Sequence, residues 1–213
     1  MAMSPEMFQE LETMTCLLSG ASQLTSRIGR VSLAAFFFVR FGILAVGARS
    51  IWMEEEKSFI CNSSQLLCAP SCFDEFSPIS SFNLFALQLV VLITHALSVT
   101  CWNRSTNQAA ETQLQAYLRG RKVQVVLHIL CLLSRVVIEG IFIFTYYEMS
   151  GGFLHPAVTK CHTQLCEKNV ICTDLNSFSK NVFSLGLCAV SVLSILICLM
   201  EVVISPLHRH PPK

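Results

Sequence analysis

The chain has 213 residues, of which 53% are hydrophobic and 14% charged, with a formal net charge of +1. Soluble domains carry about 25% charged residues, so this is the composition of a membrane protein, and the length suits one compact bundle. A near-neutral balance gives no global field for nucleic acid, and the segment 1–20 holds Glu6, Glu10 and Glu12 without Lys or Arg, the opposite of the basic start of a cleavable signal.

In chain order, residues 1–20 read as a short helix. Ser4 can cap it, Pro5 suits its first position and Glu6 favours the positive end of its dipole. Met7, Leu11, Met14 and Leu18 share one face and Glu6, Glu10 and Thr13 another. The plain reading is a helix lying at the membrane interface, although an acidic helix gains little from anionic lipid.

Four apolar runs follow, at 31–51, 82–102, 123–147 and 182–205. Each is long enough to cross about 30 Å of hydrocarbon, which takes about 20 helical residues. The backbone must satisfy its own polar groups there, so helices are expected. The fold class is an all-α membrane protein with a four-transmembrane-helix bundle. Segment 52–81 joins the first two spans, 103–122 the middle pair and 148–181 the last pair, and 206–213 is a short tail. Arg27, Arg30, Arg104, Arg119, Arg121, Lys122, Arg209 and Lys213 fall on the side of both termini and the middle loop; the other two loops hold Lys57, Lys160, Lys168 and Lys180. The positive-inside rule therefore places both termini and segment 103–122 in the cytoplasm.

The spans contain costly residues. Arg40 lies near the middle of the first, Arg135 and Glu139 one turn apart in the third, and Glu201 near the cytoplasmic end of the fourth. Ionisable groups at such depth should face the bundle interior and pair. Arg40 and Arg135 fall at similar depth, and Glu139 is about 6 Å further out by helical rise, within reach of a long Arg. Pairing across helices is expected, because Arg-to-Glu is the weaker order within one helix. Glu201 has no evident partner. The plain reading is that this buried charge network sets helix register. His95 reads as a hydrogen-bonded interior histidine, Cys131, Cys188 and Cys198 as packing residues, and Cys16 and Cys101 as candidates for palmitoylation.

After the first span, Arg49, Ser50, Trp52, Glu54, Glu55 and Glu56 cluster. Trp52 suits an interfacial anchor. Carboxylates repeated around a ring would concentrate cations and could bind Ca²⁺; without a ring they are a solvated loop. Then comes the triplet Cys61, Cys68 and Cys72, matched a hundred residues on by Cys161, Cys166 and Cys172. Six cysteines on one oxidising face suggest a disulfide framework. Zinc is the rival, though neither triplet has a Cys-x-x-Cys pair and His162 merely adjoins Cys161.

Cys-x6-Cys-x3-Cys followed by Phe73-Asp74 and Ser77-Pro78-Ile79-Ser80 resembles the first extracellular loop of connexins. Phe85-Ala86-Leu87-Gln88-Leu89 looks like the start of their second helix, and Cys161-x4-Cys166-x5-Cys172 is similar to their second-loop signature. Ile28-Gly29-Arg30, Arg40, Trp52-x-x-Glu55, Arg135-Val136-x-x-Glu139, Gly152-Phe153 and Val182-Phe183 also match, so the resemblance covers about residues 10–205. It implies a homo- or hetero-hexamer in the plasma membrane, a connexon passing ions and small solutes, which docks with one on an adjacent cell to form a gap junction. It further implies that the N-terminal helix folds into the pore mouth, that Glu6, Glu10, Arg49, Ser50, Glu54 and Ser58 line the pore, and that Cys61 joins Cys172, Cys68 joins Cys166 and Cys72 joins Cys161. The calcium-sensitive region of the family falls at Ser50, Met53 and Glu55; Ser50 replaces an acid, which predicts weaker Ca²⁺ gating. No cofactor is expected.

Docking would use Asn62, Gln65, Lys168 and Asn169, and here the chain departs from the pattern. Asn62-Ser63-Ser64 is a glycosylation sequon in the docking plane. Lys168 stands where many connexins place Asn, and six such lysines per face would repel a second face. Leu175-Asn176-Ser177-Phe178-Ser179-Lys180 replaces the usual Ser-Arg-Pro-Thr-Glu-Lys run, and His95 replaces a proline. Undocked hemichannel and cell-to-cell channel both remain readings. The other class weighed is a non-conducting four-helix adhesion protein; claudins keep a Cys pair in the first loop only and tetraspanins a Cys-Cys-Gly in the second, and neither pattern occurs here. No nucleophile–base pair, metal cluster or phosphate loop supports an enzyme.

Overall fold

The computed structural model describes residues 14–15, 25–48, 58–63, 65, 67–76, 79–109, 114–161, 166 and 170–207. In chain order they form α1 (Arg27–Gly47), β1 (Phe59–Cys61), α2 (Cys68–Phe76), α3 (Ser81–Ala109), α4 (Leu114–Ser150), β2 (Val158–Cys161), β3 (Val170–Asp174) and α5 (Ser177–Leu207). Of the expected N-terminal helix only Met14 and Thr15 are described, and both are helical.

Helices α1, α3, α4 and α5 each contain a stretch long and apolar enough to cross a membrane. Even the shortest, α1 with 21 residues, is about 32 Å long at 1.5 Å per residue. The helices do not end where the apolar runs end. α1 begins at Arg27 rather than 31, and α5 at Ser177 rather than 182. Much of segment 103–122, expected as a loop, continues α3 to Ala109 and is resumed by α4 from Leu114. Hydrophobicity limits the part of a helix that lipid will accept; caps and intrinsic propensity decide where the backbone stops coiling. At the end of α4 the stop is a Schellman turn. Gly151 adopts φ 61°, its N–H bonds the Glu148 carbonyl at 3.4 Å, and the Gly152 N–H reaches back to the Tyr147 carbonyl at 3.0 Å.

Two compact units divide the chain, and all four long helices contribute to each. The first comprises residues 1–40, 88–141 and 190–213. Its core is Leu33, Leu132 and Cys198, with Val136, Ile197 and Val202 packed against them.

The second unit comprises residues 41–87 and 142–189. It holds a three-stranded antiparallel sheet in the order β1-β3-β2, with Cys61 opposite Cys172 and Cys161 opposite Val170. Alternation along β3 buries Val170, Cys172 and Asp174 and exposes Ile171, the period-2 pattern of a half-buried strand. Helix α2 packs on this sheet. Phe59 meets Phe73 edge-on at 5.6 Å and stacks with Phe76 at 6.2 Å. The disulfide-bearing segments therefore have a core of their own: Phe59, Val170 and the buried sulfurs of Cys68, Cys72, Cys161 and Cys172.

Apolar side chains such as Phe38, Phe41, Val90, Val137, Phe144 and Met200 are exposed on the long helices. On a water-soluble monomer that much apolar surface would be a liability; on spans it is what lipid or a neighbouring subunit covers.

Candidate functional site

The Cys-rich cap is built by three local rules. Cys68 and Cys72 are one turn apart on α2, so both sulfurs lie on the helix face turned to the sheet. Pro70 is tolerated because it falls in the first turn, where no N–H is needed for an intrahelical bond. Cys172 sits on the inward-facing register of β3. The bonds formed are Cys61–Cys172, Cys68–Cys166 and Cys72–Cys161, with Cα separations of 4.0, 5.0 and 5.8 Å. Each links the segment after the first span to the segment after the third. They close loops with sequence separations of 111, 98 and 89. The sulfurs are crowded, with Cys72 Sγ 3.3 Å from Cys166 Sγ. The proximity that would suit a metal among Cys61, Cys72 and Cys172, or Cys68, Cys72 and Cys166, here comes from neighbouring disulfides, whose sulfurs offer no thiolate to an ion.

The buried charges form a second construction, within the first unit. Arg40 Nη2 donates to Glu139 at 3.0 and 3.2 Å and to Ser191 Oγ at 2.9 Å. Gln88 Nε2 donates to the same carboxylate at 2.6 Å and to the same hydroxyl at 3.2 Å. All four side chains are buried, with 2% or less of their surface exposed. One comes from each span: Arg40 from α1, Gln88 from α3, Glu139 from α4 and Ser191 from α5. The pairing is thus between helices. Arg135 is buried too, within electrostatic reach of Glu139 and Arg40.

Glu201, whose partner the sequence leaves open, reaches the start of α1. Its carboxylate accepts the Ser26 N–H at 3.1 Å and a short hydrogen bond from the Ser26 hydroxyl. Ser26 is the N-cap of α1, its Oγ accepting the Gly29 N–H at 3.0 Å. Glu201 of α5 thereby serves the N-terminus of α1 as the acid of a capping box serves its own helix. Gly29 lets it approach: a Cβ there would lie 2.9 Å from Glu201 Cδ and 3.1 Å from Thr25 Cγ2.

His95 is half-buried, its Nε2 2.7 Å from Ser134 Oγ. Ser134 Oγ also lies 2.9 Å from the Cys131 carbonyl, to which it donates. Cys188 and Cys198 are buried within α5.

Ser58, expected on the pore wall, is buried in the single chain, its hydroxyl 3.4 Å from Asp174. Asn62 and Gln65 are exposed. Glu6, Glu10, Arg49, Ser50, Met53, Glu54, Glu55, Lys168 and Asn169 lie outside the described residues.

Sequence reasoning missed Gln88 and Ser191, although an amide inside an apolar run is a signal in itself. It also missed that Lys180, counted as a loop lysine, is buried and paired with Asp174 at 2.7 Å. Asp174 further accepts the Asn176 N–H at 2.9 Å, turning the chain from β3 into α5.

A family model described as Connexin matches two overlapping segments, residues 10–116 and 103–206, and so runs through every span and both Cys triplets. The chain belongs to the connexin family.

Proposed function

We propose that this chain is the subunit of a hexameric plasma-membrane hemichannel, with both termini in the cytoplasm and the disulfide cap outside. It passes ions and small solutes down their gradients and performs no chemistry on them. The observation that carries this reading is a connexin match running the length of four apolar spans whose two Cys-bearing segments are joined by three disulfides. Apolar helix faces left uncovered by the single chain suit contact with lipid and with like subunits. Glu6 and Glu10, repeated six times at the mouth, would favour cations. Extracellular Ca²⁺ acting near Met53 and Glu55 would be a gating ion of modest strength, because Ser50 supplies no charge.

The test is single-channel recording with dye uptake by isolated expressing cells in low Ca²⁺. Unitary currents and uptake are expected. Surface protein that gives neither would overturn the reading in favour of a four-helix adhesion protein. A second reading, a cell-to-cell channel made by two docked hemichannels, is favoured by the family match; dye transfer between paired cells tests it.

A further inference from the structure

We propose that Asn62 carries an N-linked glycan and that this sugar keeps the hemichannel undocked. The consequence rests on the channel reading above; the modification itself does not. The acceptor sequence is Asn62-Ser63-Ser64, which requires an accessible asparagine on the lumenal side of the membrane. Asn62 is exposed, and its backbone is fixed: its N–H bonds the Ile171 carbonyl at 3.0 Å, extending the β1–β3 ladder one residue past Cys61. Ser63 Oγ accepts the Gln65 N–H at 3.2 Å.

The register of the sheet says where that places the sugar. Phe59 lies opposite Asp174, just before α5 begins at Ser177, whereas Cys61 lies opposite Cys172 and Asn62 beside Ile171. From Phe59 to Asn62 the strand advances about 10 Å at about 3.3 Å per residue, away from the start of the membrane span. Asn62 is thus at the sheet end remote from α5, at the tip of the cap. Two hemichannels meeting end to end must desolvate and pack their tips. A branched, hydrated sugar on each of six tips prevents that while leaving the pore of a single hemichannel open.

The chain contains its own control. Asn103-Arg104-Ser105 is a second sequon, on the polar end of α3, across that span from the Cys cap. Only one of the two sequons can face the lumen in a given orientation.

The experiment uses the full chain recovered from the surface of mammalian cells, treated with an amidase that strips N-glycans. A mobility shift corresponding to one glycan is expected, lost in Asn62→Gln and in Ser64→Ala and kept in Asn103→Gln. No shift, or a shift lost only in Asn103→Gln, overturns the site. Ser64→Ala removes the sequon while leaving the Asn62 side chain in place. Cells expressing wild-type chain should take up dye singly without passing it to a neighbour, and Ser64→Ala should raise transfer above background. Equal transfer by both proteins at equal surface level overturns the blockade. A glycan shift without uptake or current in any variant sinks the channel reading and leaves the site standing.

Discussion

The four-helix clasp makes a quantitative prediction. Glu139 accepts from Arg40 and Gln88, so Glu139→Leu leaves a guanidinium that is 2% exposed with Ser191 as its remaining hydrogen-bond partner among the described residues, and Arg135 nearby as a second positive charge. Breaking a buried ion pair from one side costs about 3–5 kcal/mol, because the remaining charge is uncompensated. For a chain of this size each kcal/mol moves a melting midpoint by about 2–4 °C, so a loss of at least about 6–12 °C is expected. Arg40→Leu leaves the carboxylate with the Gln88 amide and the charge of Arg135, and should cost less. The double variant Arg40→Leu/Glu139→Leu removes the pair, keeps the Gln88–Ser191 hydrogen bond and leaves Arg135 as the one buried charge of this group. Replacing a buried pair by apolar side chains is often near neutral, and the double lacks the like-charge pair that Glu139→Leu leaves, so the double should melt above Glu139→Leu. The assay is thermal unfolding of detergent-solubilised protein followed by size-exclusion, with all four chains at equal concentration. Single losses that simply add in the double would show that the two residues act independently, and the clasp argument would fail.

Gly29→Ala places a Cβ against Glu201 and Thr25 and should displace the acid from the Ser26 cap, at a cost of about 1–2 kcal/mol, the scale of a lost N-cap. Gly42→Ala, with nothing within 4 Å of the added carbon, should be neutral or stabilise the helix by about 0.5–1 kcal/mol; the same melting assay separates them, and equal effects would refute the cap assignment. Replacing both Cys61 and Cys172 by Ser opens a closure of 111 residues and should cost about 2–5 kcal/mol, read as lost surface protein. Peptide mapping without reduction should recover the Cys61–Cys172 link in wild-type chain. Asp174→Asn removes the carboxylate charge 2.7 Å from the buried Lys180 ammonium and should lower the melting midpoint, with Lys180→Met restoring it; no change in Asp174→Asn would refute the weight given to this pair.

What was legible in the sequence followed from single strong costs. Apolar runs without charge have few homes other than lipid, so the spans stood out. The charges that interrupt them had to be paired, and Arg40 with Glu139 was within reach by helical rise alone. The pattern of six cysteines carried the family resemblance, and the pairings followed from that resemblance, because spacing leaves 15 possible connectivities for six cysteines. What was not legible depended on several weak terms meeting in space. Phe59-Ile60-Cys61 is too short to announce a strand, and Cys68–Phe76 holds a proline, so the sheet and α2 hid inside a loop. Ser26 and Glu201 are 175 positions apart, and no local signal ties a cap to a carboxylate on the last helix.

The two constructions answer a problem specific to this solvent. In water, apolar helix faces drive themselves together; in hydrocarbon, lipid competes for the same faces on nearly equal terms. Neither the rotation nor the vertical register of four apolar helices is then fixed by hydrophobicity. A polar contact drawing one side chain from each helix supplies what apolar packing lacks: rotating or sliding any one span removes a donor or acceptor that has no water to turn to. The desolvation cost that makes a buried ion pair a poor source of net stability is the same cost that makes its misregistered alternatives so unfavourable. Covalent bonds can take this role only where the chain is exposed to an oxidising medium, which is why, on the orientation proposed here, the sulfurs belong at the outer end and the charges within the membrane.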